Sequence, residues 1–159
     1  MNHINVRPFA TAAAIASVCL LWGCERPPET VKVTVEQAWV RLPAAAGVPG
    51  AAYFTLRSNS TPMTLTSVSS PQVARIELHD SRMDRGVMRM RPIATTEFPE
   101  TGEMEFKPGA KHAMLFGIDP AVKPGGKISL TFSFNPAGQV VADADVVGPG
   151  GTAPGHAGH

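Results

Sequence analysis

Apolar and polar residues alternate along most of this chain with the two-residue period of a β-strand, not the 3.6-residue period of a helix. The pattern is plainest at 127–134, where Ile128, Leu130, Phe132 and Phe134 are separated by polar or small residues. Val31, Val33 and Val35 repeat it, and 37–41 continues the same strand around Trp39, which is expected in the core. Further strands are predicted at 52–57, 63–68, 87–91, 104–106, 112–116 and 139–147, and one through Ile76 and Leu78 that ends at His79. Between them lie a small-residue loop at 43–50 and turns at Asp84-Arg85-Gly86, 99–102, Pro108-Gly109 and Pro124-Gly125-Gly126. Asp84-Arg85-Gly86 carries hairpin chemistry, and Pro92 restricts the far end of the returning strand. Eight to ten short strands with turns at this spacing predict an all-β Greek-key sandwich or barrel. No segment has a long helical period, and no internal repeat is visible.

The ends of the chain do not belong to this pattern. Arg7 precedes an apolar run, Phe9 to Trp22, that suits a signal-peptide core and is shorter than the roughly 20 residues of a membrane span. It closes Leu21-Trp22-Gly23-Cys24, which resembles a bacterial lipobox, although Trp22 is unusual in one. Residues 1–23 are therefore expected to be a lipoprotein-type signal peptide, leaving Cys24 as a lipidated N-terminus that anchors the domain to a membrane. An ordinary secretory signal cut elsewhere is the alternative, and either reading exports the domain, to the periplasm or another extracytoplasmic space. Residues 24–30 read as a polar, proline-stiffened tether, 31–147 as one domain, and 148–159 as a Gly/Pro/His tail too poor in large apolar side chains to pack, hence disordered. A net charge of +1 gives no support for nucleic-acid binding. With Cys19 removed and Cys24 acylated, the mature domain is expected to hold no free thiol and no disulfide.

Candidate chemistry concentrates between His79 and Met114. His3, His156 and His159 lie outside the domain, so both of its histidines, His79 and His112, fall in this window, as do Met83, Met88, Met90, Met104 and Met114. Imidazole is a borderline ligand and the thioether a soft one, and together they select Cu(I) over Zn(II), Mg(II) or Ca(II). Side chains two apart on a strand share a face, so His112 and Met114 can bind one ion together. Met88 and Met90 also share a face, opposite Val87, Arg89 and Arg91. Met63 and Met104 are assigned to packing. Met83 and Met88 stay open between reserve ligand and packing. Thioethers also suit an oxidising compartment, because they cannot be lost to disulfides.

The spacing is His79, ten residues, Met90, twenty-one residues, His112-x-Met114. It resembles the copper-binding motif of the periplasmic PCu(A)C copper-chaperone family without a gap. Ala38-Trp39-Val40-Arg41, Ala52-Tyr53-Phe54, Glu77-Leu78-His79, Gly86-Val87-Met88-Arg89-Met90 and Pro108-Gly109-Ala110-Lys111-His112-Ala113-Met114-Leu115 are similar to its other blocks. Ala110 stands where a second glycine is common, and Met83 has no clear counterpart. The resemblance implies a cupredoxin-like β-sandwich with one Cu(I) held by His79, Met90, His112 and Met114. It also implies delivery of copper to the CuA centre of cytochrome c oxidase subunit II, alongside a Sco-type thiol protein, and no enzymatic activity.

Other classes compete. A blue-copper carrier needs a cysteine thiolate that neither Cys19 nor Cys24 can supply. A metallohydrolase wants an acidic or imidazole set with an open water position, and Glu77 and Asp80 beside His79 read as surface charges. A non-metal immunoglobulin-like interaction module is the bland alternative. A periplasmic copper storage or resistance protein would use the same site. Arg75, Arg82, Arg85, Arg89 and Arg91, offset by Glu77, Asp80 and Asp84, suit either a docking face for an acidic partner or a solvated strand face. The paired His156 and His159 beside the terminal carboxylate suit a weak secondary Cu(II) site.

Overall fold

A computed structural model of the chain describes residues 31–155. Cys24 and the leader, and His156 and His159, lie outside the described residues. Ten strands follow in order: β1 (Val33–Arg41), β2 (Gly50–Ser58), β3 (Thr64–Ser69), β4 (Val73–Asp84), β5 (Val87–Ile93), β6 (Thr96–Glu97), β7 (Glu103–Phe106), β8 (Lys111–Ile118), β9 (Lys127–Asn135) and β10 (Gly138–Val147). They hydrogen-bond in the order β5-β4-β8-β2-β1-β10-β9-β3-β6, with β7 also paired to β2. Only β4–β5, β1–β2 and β9–β10 are hairpins between chain neighbours, and β1 runs parallel to β10. The expected all-β fold is present, as a sheet that curls over one core without closing into a barrel.

The core explains the alternation. Ile128, Leu130, Phe132 and Phe134 are all buried, as the pattern on β9 predicts. Phe54 stacks on Phe106 with ring centroids 4.4 Å apart and meets Phe132 edge-on at 4.8 Å, joining β2, β7 and β9. Met63 and Met104 are buried among them, in the packing role expected.

Three features depart from the alternation as read. β4 does not end at His79 but continues five residues further to Asp84, because Asp80, Arg82 and Asp84 occupy a face that the sandwich does not cover. On β1, Gln37 adopts φ 51°, and pairing jumps from Glu36↔Thr55 to Trp39↔Tyr53. This bulge reverses the parity of the strand, sending Val40 into the core and Trp39 to the outer face. Trp39 is buried there, outside the main apolar cluster, against Tyr53 at 4.4 Å and beneath Arg41 at 5.2 Å. The tail, finally, does not leave the domain at Val147. Arg41 Nε–H donates to the Gly151 carbonyl at 2.8 Å, and Thr152, Ala153 and Pro154 line a cleft of about 570 Å³ with Trp39 and Tyr53. The chain here carries too little apolar surface to build a core, yet its backbone carbonyl satisfies a guanidinium.

Phe54 is the packing hub, so Phe54→Ala should cost about 3–5 kcal/mol, read as a lowered urea midpoint with an unchanged slope. A loss below about 1 kcal/mol would show that the three rings do not pack as one unit.

Candidate metal centre

The centre is built on β4, with β5 along one edge and β8 along the other. The β4–β5 turn is Arg85-Gly86, with φ 50° and 81°, the pair of positive values that a type I′ hairpin requires. Pairing then runs Asp84↔Val87, Met83↔Met88, Arg82↔Arg89, Ser81↔Met90, Asp80↔Arg91 and His79↔Pro92. The pair flanking a two-residue turn is hydrogen-bonded, and bonded and non-bonded pairs alternate from there. Met83↔Met88, Ser81↔Met90 and His79↔Pro92 are thus non-bonded pairs, whose side chains lie closest. Pro92, lacking an N–H, occupies a position of the edge strand that needs none.

Across the other edge of β4, His79 lies directly opposite His112, and Glu77 opposite Met114. The imidazole centroids are 6.0 Å apart, with planes inclined by 26°. Met114 is the diagonal neighbour of His79 on one side and Met90 on the other. Diagonal pairs stand roughly 7–8 Å apart, within reach of long side chains. The structure therefore brings His79 and His112 together and sets one thioether on each side of His79, all four on one face. Leu78, Ala113 and Leu115, on the opposite face of the same strands, are buried in the core. Met83 and Met88 share the donor face but lie beyond Met90, nearer the turn.

Two hydrogen bonds orient the rings. His112 Nδ1–H donates to the Ala110 carbonyl at 2.9 Å, leaving the Nε2 lone pair free. The same carbonyl accepts the Ser81 N–H at 3.3 Å, so one oxygen ties the turn before β8 both to β4 and to the ring. His79 Nε2 lies 3.2 Å from Glu77 Oε2, a carboxylate oxygen that can only accept, so Nε2 carries the hydrogen and Nδ1 the lone pair. That Nδ1 is buried and has no hydrogen-bond partner, the only such side-chain atom among the described residues. A buried, unpaired acceptor is costly in a settled interior; as a ligand position it has a use. Burial holds the His79 pKa below the usual imidazole value, favouring the neutral form that a metal requires.

Glu77 was expected to be a surface charge. It instead orients His79, as carboxylates orient metal-ligating histidines, while also pairing with Arg75. The i, i+2 spacing of Glu77 and His79 on a strand is the sequence signal for this. Asp80, by contrast, pairs with Arg82 on the opposite face, and Asp84 with Arg89. Among the described residues no three His, Cys, Asp or Glu side chains converge on one point.

The architecture is that of a PCuAC domain. The copper-bound PCuAC domain from PmoF2 superposes with TM-score 0.62 at 22% identity, covering 74% of this chain and 94% of that one. Apo-DR1885 from Deinococcus radiodurans gives TM-score 0.55 at 24% identity, covering 93% and 97%. CuI-DR1885 from the same organism gives 0.50 at 24%, covering 77% and 79%. The model of the LpqE-like family, whose description is a lipoprotein one, matches residues 33–146, and the chain belongs to that family. No curated protein matches.

The hydrogen bonds predict opposite neutral tautomers, Nε2–H for His79 and Nδ1–H for His112, and long-range proton–nitrogen NMR of the apoprotein reads both. They also predict a pH dependence. The unfolded chain protonates His79 near pH 6.5 and the folded chain lower, so between the two the unfolded state holds more protons and stability rises with pH. Stability should be undiminished above about pH 6.5 and fall as pH drops through the folded value. His79→Gln should flatten that fall; parallel curves for the two proteins would refute burial as its cause.

Proposed function

We propose that this domain is an extracytoplasmic Cu(I) carrier, with His79, Met90, His112 and Met114 as its ligands, and not an enzyme. The observation that carries the reading is the unpartnered, buried Nδ1 of His79, opposite His112 on a face that also carries the Met90 and Met114 thioethers. Two neutral imidazoles and two thioethers bring no charge, which suits a monovalent soft ion. The copper named for the PmoF2 domain and for DR1885, proteins of the same fold, supports this identity. The lipoprotein description of the family supports a membrane anchor at Cys24 and a periplasmic or equivalent location.

The acceptor in this reading is the CuA centre of cytochrome c oxidase subunit II, with a Sco-type thiol protein working beside it. The chemistry gives the direction of flow. Uncharged thioethers protect Cu(I) from water and oxidants, while an acceptor with thiolates offers the stronger site, so copper moves outward without an energy source. Mixing Cu(I)-loaded protein with apo subunit II should produce the CuA absorption, and Met90→Leu should abolish the transfer. Stable Cu(I) loading with no CuA absorption would instead assign the protein to copper storage or resistance.

The tail adds a separate proposal. In it, His156 and His159 supply imidazole nitrogens for a weak Cu(II) site. Deleting residues 148–159 should remove one weak Cu(II) equivalent and leave Cu(I) binding intact; an unaltered Cu(II) titration would leave the tail as a spacer.

A further inference from the structure

Apart from the half-buried Met114, the methionines of this domain divide sharply. Met63 and Met104 are 1% and 4% exposed, whereas Met83, Met88 and Met90 are 64%, 50% and 51% exposed. The exposed three are not scattered. Met83 lies directly opposite Met88, and Met90 is two residues beyond Met88 on the same face, diagonal to Met83. Because Met83↔Met88 is a non-bonded pair, its Cβ atoms are at the close end of the roughly 4.5–5.5 Å range for facing residues. The charged side chains of the paired strands, Asp80, Arg82, Asp84, Arg89 and Arg91, project from the other face, and Arg85 lies in the turn itself. They leave an uncharged thioether surface running from the imidazole pair to the turn.

Core packing accounts for none of these three side chains, since they touch solvent over half or more of their surface. Soft-metal affinity accounts for all three, because two or three thioethers form a ligand set that selects a soft monovalent ion even in water. Met90 belongs to both ends of the row, being diagonal to His79 on one side and to Met83 on the other.

We propose that Met83, Met88 and Met90 form a second, weaker site for a soft monovalent ion at the tip of the β4–β5 hairpin. Met90 is the ligand it shares with the imidazole centre. An ion bound at the tip exchanges the Met83 and Met88 sulfurs for the two imidazole nitrogens and the Met114 sulfur while the Met90 bond persists, and the reverse exchange returns it to the exposed tip. No electron or proton is transferred, and every ligand involved is neutral. The identity of the physiological ion as Cu(I) rests on the functional reading above; the existence of the tip site does not.

The test uses the full chain labelled with [13C-methyl]methionine and titrated with Ag(I), a soft monovalent ion that does not change oxidation state here. The readout is specific to methionine, so binding at tail histidines does not enter it. The first equivalent should shift the Met90 and Met114 methyl signals. A second, weaker phase should shift Met83 and Met88 and move Met90 again, with Met63 and Met104 unmoved as internal controls. In Met83→Leu/Met88→Leu the second phase should be lost and the first retained. In His79→Ala/His112→Ala the second phase should persist. Met83 and Met88 signals that never move, or that saturate together with Met90 and Met114 in one phase, would overturn the tip site. Loss of the first phase alone would overturn the imidazole centre instead.

Discussion

The register between β4 and β8 is the constraint on which everything else here depends. It sets His79 opposite His112, and a slip of one residue would send the two rings to opposite faces. The donors themselves do not hold that register. Leu78 on β4 and Ala113 and Leu115 on β8, buried on the reverse side, do so, because a slip would turn one strand's apolar side chains towards water and its imidazole towards the core. The apolar interior thus fixes the geometry of a polar site on the other face of the same strands. The Ala110 carbonyl adds a second lock, accepting one bond from the β4 backbone and another from the ring of His112.

The hairpin beyond that register behaves differently. β4 and β5 run past the sandwich to the Arg85-Gly86 turn, so neither face there is buried against a core. One face is ion-paired, through Arg82 with Asp80 and Arg89 with Asp84; the other is made of thioethers. Exposed ion pairs of this kind add little stability, but they keep charge on one side, leaving the other free of hard, charged competitors for a soft ion. The arrangement grades from two oriented imidazoles at the sandwich to exposed thioethers at the tip.

Much of this was legible in the sequence. The alternation on β9, the Asp84-Arg85-Gly86 turn, the shared face of Met88 and Met90 and the packing role of Met63 and Met104 all follow from a period of two and the chemistry of the residues. What escaped depends on partners distant in the chain or on local backbone choice. The apolar alternation through Ile76 and Leu78 stops at His79, and the continuation of β4 to Asp84 becomes visible only in its pairing with β5. The parity change on β1 comes from a left-handed Gln37, a conformation that no residue at that position announces. Glu77 reads as a surface charge until the burial of His79 Nδ1 gives its other nitrogen a reason to need a carboxylate. The contact of Arg41 with Gly151 rests on a backbone carbonyl, which side-chain patterns do not encode.

X-ray absorption of the Cu(I)-loaded protein bears most directly on the central claim, that one face of β4, β5 and β8 forms a mixed thioether–imidazole centre. The account predicts a first shell containing both sulfur and nitrogen, with the sulfur contribution reduced in Met90→Leu and in Met114→Leu. A shell of nitrogen and oxygen alone would contradict it.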